Sequence, residues 1–211
     1  MRRLLVILLI ASCIPAFAQE EQKKNSEIQT LFGGDMAAGF YGSFDMKVSS
    51  FAGNSGLMTG GKGGWIIDHK FVIGGGGFGL STNPRYNLSS LQNQDSFAGL
   101  KLGYGGLLLE YILWPVKPVH IAFPLLIAAG EVNVSESENS YYSGFYNGNL
   151  LERSSVFIVE PGVDLELNLL KFFRFGVGLS YRYAYGTNLV NFSDNDLSNL
   201  SMNFIFKFGY F

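Results

Sequence analysis

One stretch of the chain has the spacing of a phosphate-binding loop. Residues 56–63 read GLMTGGKG, which satisfies the pattern G-x-x-x-x-G-K. Gly63 stands where such a loop needs a Ser or Thr hydroxyl for Mg²⁺, and the residues that follow, Trp65-Ile66-Ile67, predict a strand instead of the required helix. We therefore expect no nucleotide site and no cofactor.

Residue types that carry catalysis or bind metals are few. The two histidines, His69 and His120, have no Ser or Asp at a spacing that indicates a catalytic triad, and we expect both to be interfacial or packing residues. The acidic residues of the predicted loops lack the spacing of a calcium loop. These residues are Glu136, Glu138, Asp194 and Asp196. The sequence thus predicts neither an enzyme nor a metal site.

Composition narrows the class of protein. The 211 residues include 27 glycines, 19 phenylalanines and 11 tyrosines, yet only 15% are charged, against about 25% in soluble domains. The formal net charge of −2 shows no basic excess, so no nucleic acid is expected as a partner. A single cysteine excludes an intramolecular disulfide. So few charges predict a surface that largely avoids water.

The N-terminus has the features of an export signal. Residues 1–18 combine two arginines, an apolar run and an A-x-A cleavage site at Ala16 and Ala18, which predicts a secretory signal peptide. The run is too short for a membrane-spanning helix of about 20 residues. Lipidation at Cys13 is the alternative, because IASC resembles a bacterial lipobox. Residues 19–34 are charged and unpatterned, which predicts a flexible periplasmic tail.

The rest of the chain, residues 35–211, alternates apolar with small or polar residues. A period of two predicts β-strands with two chemically different faces. We predict eight strands near 35–48, 57–67, 71–81, 97–112, 119–134, 154–168, 172–186 and 200–211. Long connections alternate with tight ones along the chain. The long ones are 49–56, 82–96, 135–153 and 187–199, and the tight ones are 68–70, 113–118 and 169–171. This arrangement indicates an up-and-down meander.

Three features favour a membrane barrel over a soluble barrel. The non-apolar faces are mostly Gly, Ser and Ala, and the strands have the length of about 9 to 11 residues that a tilted strand needs to cross a bilayer. The third feature is charge balance, since the strands hold seven acidic and six basic residues. These are Asp35, Asp45, Glu110, Glu131, Glu160, Asp164, Glu166, Lys47, Lys62, Lys101, Arg174, Arg182 and Lys207. Separately, Trp65, Trp114 and Tyr210 lie near turns or termini and fit an interfacial aromatic girdle.

Balanced charge on the polar faces predicts a closed interior held by ion pairs, because unpaired buried charge is costly. We predict that this interior network contains Glu160, Asp164, Glu166, Arg174, Arg182 and Lys207. A turn at 169–171 would place Glu166 opposite Arg174 and Glu160 diagonal to Arg182.

Two features fit a membrane barrel poorly. Glu110 shares its face with Leu102 and Leu108, and Pro124 and Pro161 fall within strands. We expect β-bulges at the two prolines.

The signal peptide, the eight alternating spans and the closing strand LSMNFIFKFGYF resemble small bacterial outer-membrane β-barrels of the OmpX and OmpA-barrel kind. The stretch GGKGGWIIDHKFVIGGGGFGL resembles members of this class from Bacteroidetes. The resemblance implies an all-β, eight-stranded antiparallel up-and-down transmembrane β-barrel in the outer membrane. It also implies that the terminal Phe211 is an assembly signal read by the barrel-assembly machinery, although the apolar face of the last strand ends at Tyr210.

The expected function is structural or surface-binding, through long extracellular loops. The segment SESENSYYSGFYNGN carries Tyr141, Tyr142, Phe145 and Tyr146 among Asn and Ser, a composition suited to a carbohydrate or protein ligand. Outer-membrane lipid and lipopolysaccharide are the other expected partners, and we expect a monomer. A narrow solute channel and an outer-leaflet lipid-modifying enzyme are the alternatives.

Overall fold

Eight long antiparallel strands close into a ring in the computed structural model of this chain, which describes residues 38–87, 97–137 and 150–211. The elements are β1 (Ala38–Phe51), β2 (Asn54–Ile67), β3 (Phe71–Leu80), β4 (Arg85–Tyr86), β5 (Phe97–Leu113), β6 (Val119–Ser137), β7 (Leu150–Leu170), β8 (Phe173–Tyr185), α1 (Asp194–Leu197) and β9 (Asn199–Tyr210). Neighbours pair in the order β3-β2-β1-β9-β8-β7-β6-β5, and β3 pairs with β5 to close the ring. The two-residue β4 pairs with β5 outside the ring.

The prediction of an eight-stranded antiparallel up-and-down β-barrel is confirmed, because every pair around the ring is antiparallel. Eight strands form this ring in the described part of the chain. None of the helices among the described residues has the length and apolarity to cross a membrane.

The alternation of the sequence separates the two faces of the wall. On β1, Phe40 and Phe44 are 62% and 50% exposed, whereas Asp45 and Lys47 on the opposite face are buried. The same outward placement of large apolar side chains recurs on the other seven ring strands. An exterior of exposed Phe, Leu, Val, Tyr and Trp around a closed ring suits lipid and not water.

The interior is mixed, which corrects the expectation that polar side chains fill it. On β5, Leu102 and Leu108 point inward and are buried together with Glu110, while Leu107 and Leu109 point outward and are exposed. Both faces of β5 are therefore apolar. Glu110 shares a face of β5 with these leucines because its carboxylate points into the lumen, beside a layer of apolar side chains. Its position therefore does not conflict with a membrane barrel.

The expected β-bulges at the two prolines are wrong. The pairing of β6 with β7 skips Phe123 and Pro124, and that of β7 with β8 skips Glu160 and Pro161, but the register continues unchanged on either side. Pro124 still pairs with β5 and Pro161 with β6. An antiparallel residue directs its N–H to only one neighbour, so each proline costs hydrogen bonds on one side only.

The connections at the two ends of the barrel differ. We call the end with the 81–96, 138–149 and 186–198 connections the loop end, and the opposite end the turn end. The predicted long connection at 49–56 is wrong, because β1 and β2 continue to a two-residue turn at Ala52 and Gly53. Both residues have positive φ, 43° and 85°, as this kind of tight hairpin requires. The 187–199 connection contains α1, a helical turn that the sequence pattern did not predict.

Candidate functional site

The most unusual feature of the barrel is a column of charged side chains in its interior. Among the described residues, five acidic and five basic side chains are buried there, so their formal charges cancel. They are Asp45, Glu110, Glu160, Asp164, Glu166, Lys47, Lys62, Arg174, Arg182 and Lys207. All six residues predicted for the network lie in this column, together with four strand charges that the prediction left out of it.

Glu160 is the acceptor of the group nearest the loop end. The Nζ of Lys47 lies 2.5 Å from its Oε1, and the hydroxyl of Ser180 donates to the same oxygen at 2.6 Å. The hydroxyl of Tyr104 donates to Oε2 at 2.6 Å. These donors come from β1, β8 and β5. The Glu160 carboxylate on β7 therefore links three strands that do not pair with one another in the sheet.

Lys62 forms the middle group with two carboxylates. Its Nζ lies 3.2 Å from Oδ2 of Asp45 and 3.3 Å from Oδ2 of Asp164, and all three side chains are buried. Gly178, opposite Asp164 on β8, leaves the space that one oxygen of this carboxylate occupies, since a Cβ there would lie 2.0 Å from Oδ1. The local sequence thus places glycine where a charged side chain crosses the interior.

Lys207 organises the group nearest the turn end. Its Nζ donates to Glu110 at 2.7 Å and also contacts Glu166. Glu110 accepts a further hydrogen bond from the Tyr41 hydroxyl at 3.1 Å. Nε2 of His120 lies 3.0 Å from Glu166, directly opposite it in the pairing of β6 with β7. His120 is fully buried, so it is a packing residue with a polar partner.

Arg174 and Phe211 lie at the turn end of the column. The guanidinium of Arg174 is 3.7 Å from the centre of the Phe211 ring, which also stacks on Tyr41. Arg174 Nη1 lies 3.4 Å from His120 Nε2. The side chain of Phe211 therefore packs with inward-facing residues, in keeping with the end of the outward apolar series at Tyr210.

Arg182 lies at the loop end and is fully buried. Its Nε donates to the backbone oxygen of Leu197 at 2.7 Å, and its guanidinium lies 4.4 Å from the centre of the Phe51 ring. Its terminal nitrogens reach the sulfur of Met58 at 3.2 Å and the hydroxyl of Ser49 at 3.4 Å. Arg182 thus ties the barrel wall to the segment that contains α1.

The two predicted cross-strand pairs are wrong. The turn between β7 and β8 begins later than expected, and a bulge between Asn168 and Leu170 precedes it, so Asn168 faces Arg174. Glu166 faces Gly176 instead. The register moves by two residues, which keeps each side chain on the interior face but changes its opposite partner. The same register brings Arg182 across from Glu160, but the carboxylate of Glu160 contacts Lys47, and the guanidinium of Arg182 contacts the backbone oxygen of Leu197.

Some predicted interior charges lie elsewhere. Lys101 and Glu131 are exposed on the exterior, where Glu131 accepts a hydrogen bond from Arg153 at 2.5 Å. Asp35 lies outside the described residues, as do Tyr141, Tyr142, Phe145 and Tyr146 and the cleavage residues Ala16 and Ala18. Within residues 38–87, 97–137 and 150–211, no three His, Cys, Asp or Glu side chains are grouped closely enough for a metal ion.

Residues 186–198, which we call the lid, fold over the loop end of the barrel. Leu197 is fully buried and Phe192 nearly so, with the Phe192 ring packed edge-on against Tyr86 at 4.9 Å. The backbone N–H of Ala52 donates to Asp196 O at 2.9 Å. The backbone N–H of Val190 donates to the carboxylate of Glu152 at 2.7 Å. Apolar packing and hydrogen bonds to β7 and to the β1–β2 turn therefore hold the lid.

Asp194 fixes the start of the lid. Its carboxylate accepts hydrogen bonds from the Gly186 N–H at 3.1 Å, the Thr187 N–H at 2.9 Å and the Thr187 hydroxyl at 2.5 Å. Partial burial by itself raises the pKa of this carboxyl, but the three donors outweigh it and hold the pKa of Asp194 below its ordinary value.

These hydrogen bonds should depend on pH in one direction. Because the folded pKa lies below the unfolded value of about 3.9, they stabilise the lid above that pH and are lost as pH falls through the folded pKa. We expect the amide NMR shifts of Gly186 and Thr187 to titrate with a midpoint below about 3.9. The Asp194→Asn variant should abolish this titration, and a midpoint at or above the ordinary value would contradict the assignment.

No protein-family model and no curated protein matches the chain. Solved structures are similar to it. A major outer membrane protein from Thermus thermophilus matches with a TM-score of 0.51 and 10% identity, over 82% of this chain and 100% of that chain. Neisserial surface protein A gives 0.48 and 13%, over 83% and 97%. Ail of Yersinia pestis, in complex with the heparin analogue sucrose octasulfate, gives 0.46 and 11%, over 82% and 97%.

Identities this low establish the fold alone. The Thermus match and the closed ring of eight strands show that the chain has the fold of small outer-membrane β-barrel proteins. The exposed apolar exterior is the surface that such a barrel presents to lipid. The chain therefore has the fold of an outer-membrane β-barrel and an apolar exterior suited to lipid.

Proposed function

We propose that the barrel is a surface-binding protein whose loop end faces the outside of the cell. The proposal rests on the unequal extent of strand pairing on the two sides of β7. Pairing of β7 with β8 ends at Phe157 and Tyr185, whereas pairing of β7 with β6 continues to Ser135 and Leu150. The β6–β7 hairpin thus extends beyond its contact with β8 and carries residues 138–149, with the predicted binding aromatics, at its tip.

The closed interior supports a function at the surface. Ion pairs from Lys47 to Glu160 and from Lys207 to Glu110 cross the lumen between strands that are not neighbours. The lid covers the loop end, and Phe211 packs beside Arg174 at the turn end. These features favour a binding role over a solute channel, and we propose a role without enzymatic activity.

The apolar exterior of an outer-membrane barrel contacts lipid. We propose that lipopolysaccharide surrounds the outer half of the exterior, and that the barrel-assembly machinery reads Phe211 before its ring packs against Tyr41. We further propose a monomer with a carbohydrate or protein ligand at residues 141–146, and a Bacteroidetes source on the resemblance of the glycine-rich stretch.

Deleting residues 139–148 and joining the hairpin by two glycines should remove ligand binding and leave the barrel folded. The probes are a glycan array and a panel of immobilised extracellular proteins. We expect a signal present in the full chain to fall by about tenfold or more, as loss of a cluster of aromatic contacts predicts. Heat-modifiable migration on a detergent gel checks that the barrel folds.

A second test variant replaces the four aromatics Tyr141, Tyr142, Phe145 and Tyr146 by serine, keeps the loop length, and should lose binding to the same extent. The control shortens residues 89–95, another connection at the loop end, and should keep binding. Binding that survives the 139–148 deletion, or that depends equally on 89–95, would contradict the proposal.

A further inference from the structure

Arg182 is a buried cation without an acidic partner. Its side chain is fully buried beneath the lid, yet no acidic side chain among the described residues forms an ion pair with it. Glu160, in the same group of the column, is already paired with Lys47. The hydroxyl of Tyr104 lies beside the guanidinium but is neutral and donates to Glu160. The column is neutral as a whole, whereas this group carries one excess positive charge.

The hydrogen-bonding capacity of the Arg182 guanidinium is also incompletely used. A guanidinium presents five N–H donors in a planar fork. Nε donates to the backbone oxygen of Leu197 at 2.7 Å. Nη1 reaches only the sulfur of Met58, a weak acceptor, and Nη2 reaches the hydroxyl of Ser49 at the long distance of 3.4 Å. The best acceptor of Arg182 therefore belongs to the lid and not to the barrel wall.

The lid residue Leu197 shows which chemistry fits this place. Its side chain is fully buried, and its carbonyl oxygen lies on Nε of Arg182. Phe51 and Met58, both fully buried, supply apolar surface against the guanidinium. A peptide that ends in leucine has the same side chain and the same carbonyl group, and its terminal carboxylate adds a second oxygen and a negative charge. A carboxylate matches the guanidinium fork better than a single carbonyl does.

We propose that Arg182 binds the terminal carboxylate of a peptide that ends in leucine or a similar aliphatic residue, at the place that Leu197 of the lid occupies. One carboxylate oxygen replaces the Leu197 carbonyl at Nε, and the other accepts from Nη2. The hydroxyl of Ser201, opposite Ser49 on β9, is a further donor in this layer, because it is buried without a hydrogen-bond partner among the described atoms. The lid is then an internal competitor for the site.

Competition with the lid defines the class of ligand. Displacing the lid exposes Leu197 and Phe192, both buried in the closed barrel. Inorganic phosphate would neutralise Arg182 but would not replace this apolar burial. A peptide with an amidated C-terminus would replace the burial but leave the charge of Arg182 uncompensated. Only a ligand that combines an aliphatic group with an adjacent carboxylate does both. This site is additional to the one proposed for residues 141–146.

The test is isothermal titration calorimetry of the full chain in detergent micelles, with N-acetyl-glycyl-leucine as the probe. We expect the free acid to bind, and its C-terminal amide to bind at least about tenfold more weakly because it lacks the charge. Arg182→Met should abolish binding. Arg182→Lys, which keeps the charge but not the fork, should weaken binding by about tenfold. Heat-modifiable migration checks that each variant folds.

The lid supplies a variant with the opposite effect. Leu197→Ala removes the side chain that fills the site, so the open state becomes more populated and the affinity for the peptide should rise by about tenfold. Val190→Ala is the matched control, because Val190 belongs to the same lid but is 90% exposed. It should leave the affinity unchanged.

Four outcomes would overturn the site. Equal affinity for acid and amide, or binding that persists in folded Arg182→Met, would exclude Arg182 as the receptor of the carboxylate. Displacement of the peptide by an equal concentration of inorganic phosphate would show a site for any anion. Absence of binding to both the unaltered chain and Leu197→Ala would show that the lid is a permanent part of the wall. The 139–148 deletion separates this site from the proposed surface function, since it should leave binding of the peptide unchanged.

Discussion

Replacing Lys207 by methionine should destabilise the barrel by about 3–5 kcal/mol, the usual cost of removing one partner of a buried ion pair. The Lys207 ammonium is the cation that Glu110 and Glu166 share, and both carboxylates are buried. Methionine fills a similar volume without charge. The two carboxylates would then repel each other in a region of low dielectric constant, although Tyr41, His120 and Arg174 remain near them.

The measurement is a urea titration of the barrel in lipid vesicles, followed by the fluorescence of Trp65 and Trp114. Lys70→Met is the matched control, because Lys70 pairs with Asp68 at 3.7 Å while both are about half exposed. That variant should change stability by less than about 0.5 kcal/mol. Adding Glu110→Gln to Lys207→Met should restore part of the loss. Equal midpoints for the two lysine variants would contradict the pairing.

Substituting Gly74 by alanine should destabilise the barrel by about 3 kcal/mol, the upper end of the usual cost of overpacking, because the atoms that it meets belong to backbone. A Cβ on Gly74 would lie 1.9 Å from the backbone oxygen of Gly63 and 2.5 Å from the Cα of Gly64. Both obstacles belong to the backbone of β2, so the two strands would have to separate. Such a separation would break the pairing on which ring closure depends.

Gly42→Ala is the control for this prediction. Gly42 lies opposite Gly63 on the other side of β2, and a Cβ there meets nothing within 4 Å. We expect a change within about 1 kcal/mol, since alanine loses less chain entropy on folding. Folding yield by heat-modifiable migration and the urea midpoint are the two readouts. A Gly74→Ala barrel as stable as Gly42→Ala would show that β2 and β3 are not so closely paired.

The architecture could be predicted because apolar and polar residues alternate along each strand, and this alternation identifies both the strand and its two faces. Phe40 and Phe44 on one face and Asp45 and Lys47 on the other identify both the strand and its orientation. The signal is clear wherever lipid and lumen select different chemistry. It fails on β5, where an apolar luminal layer contains Leu102 and an apolar exterior contains Leu107, so only Glu110 marks the inside.

The partners inside the barrel could not be predicted, for two physical reasons. The turn between β7 and β8 and the bulge beside it set the register, and neither has a marker in the sequence that fixes its position to one residue. The contacts of Lys47 with Glu160 and of Lys62 with Asp164 also cross the lumen, so they depend on the shape of the closed ring. Only the charge balance, read as a total, indicated that such contacts exist.

The placement of the interior charges has a consequence for the order of folding. Lys47 and Lys207 have acidic partners on β7 and β5, strands that they do not pair with in the sheet, whereas Lys62 has one partner on the adjacent β1 and one on β7. A β1–β2 hairpin that forms early would therefore carry the charge of Lys47 without its carboxylate partner, and it would be unstable in hydrocarbon. Lys47 and Lys207 reach their partners across the lumen only once the ring has closed. Assembly should therefore be cooperative, with open intermediates scarcely populated in the membrane and a steep, single transition on unfolding.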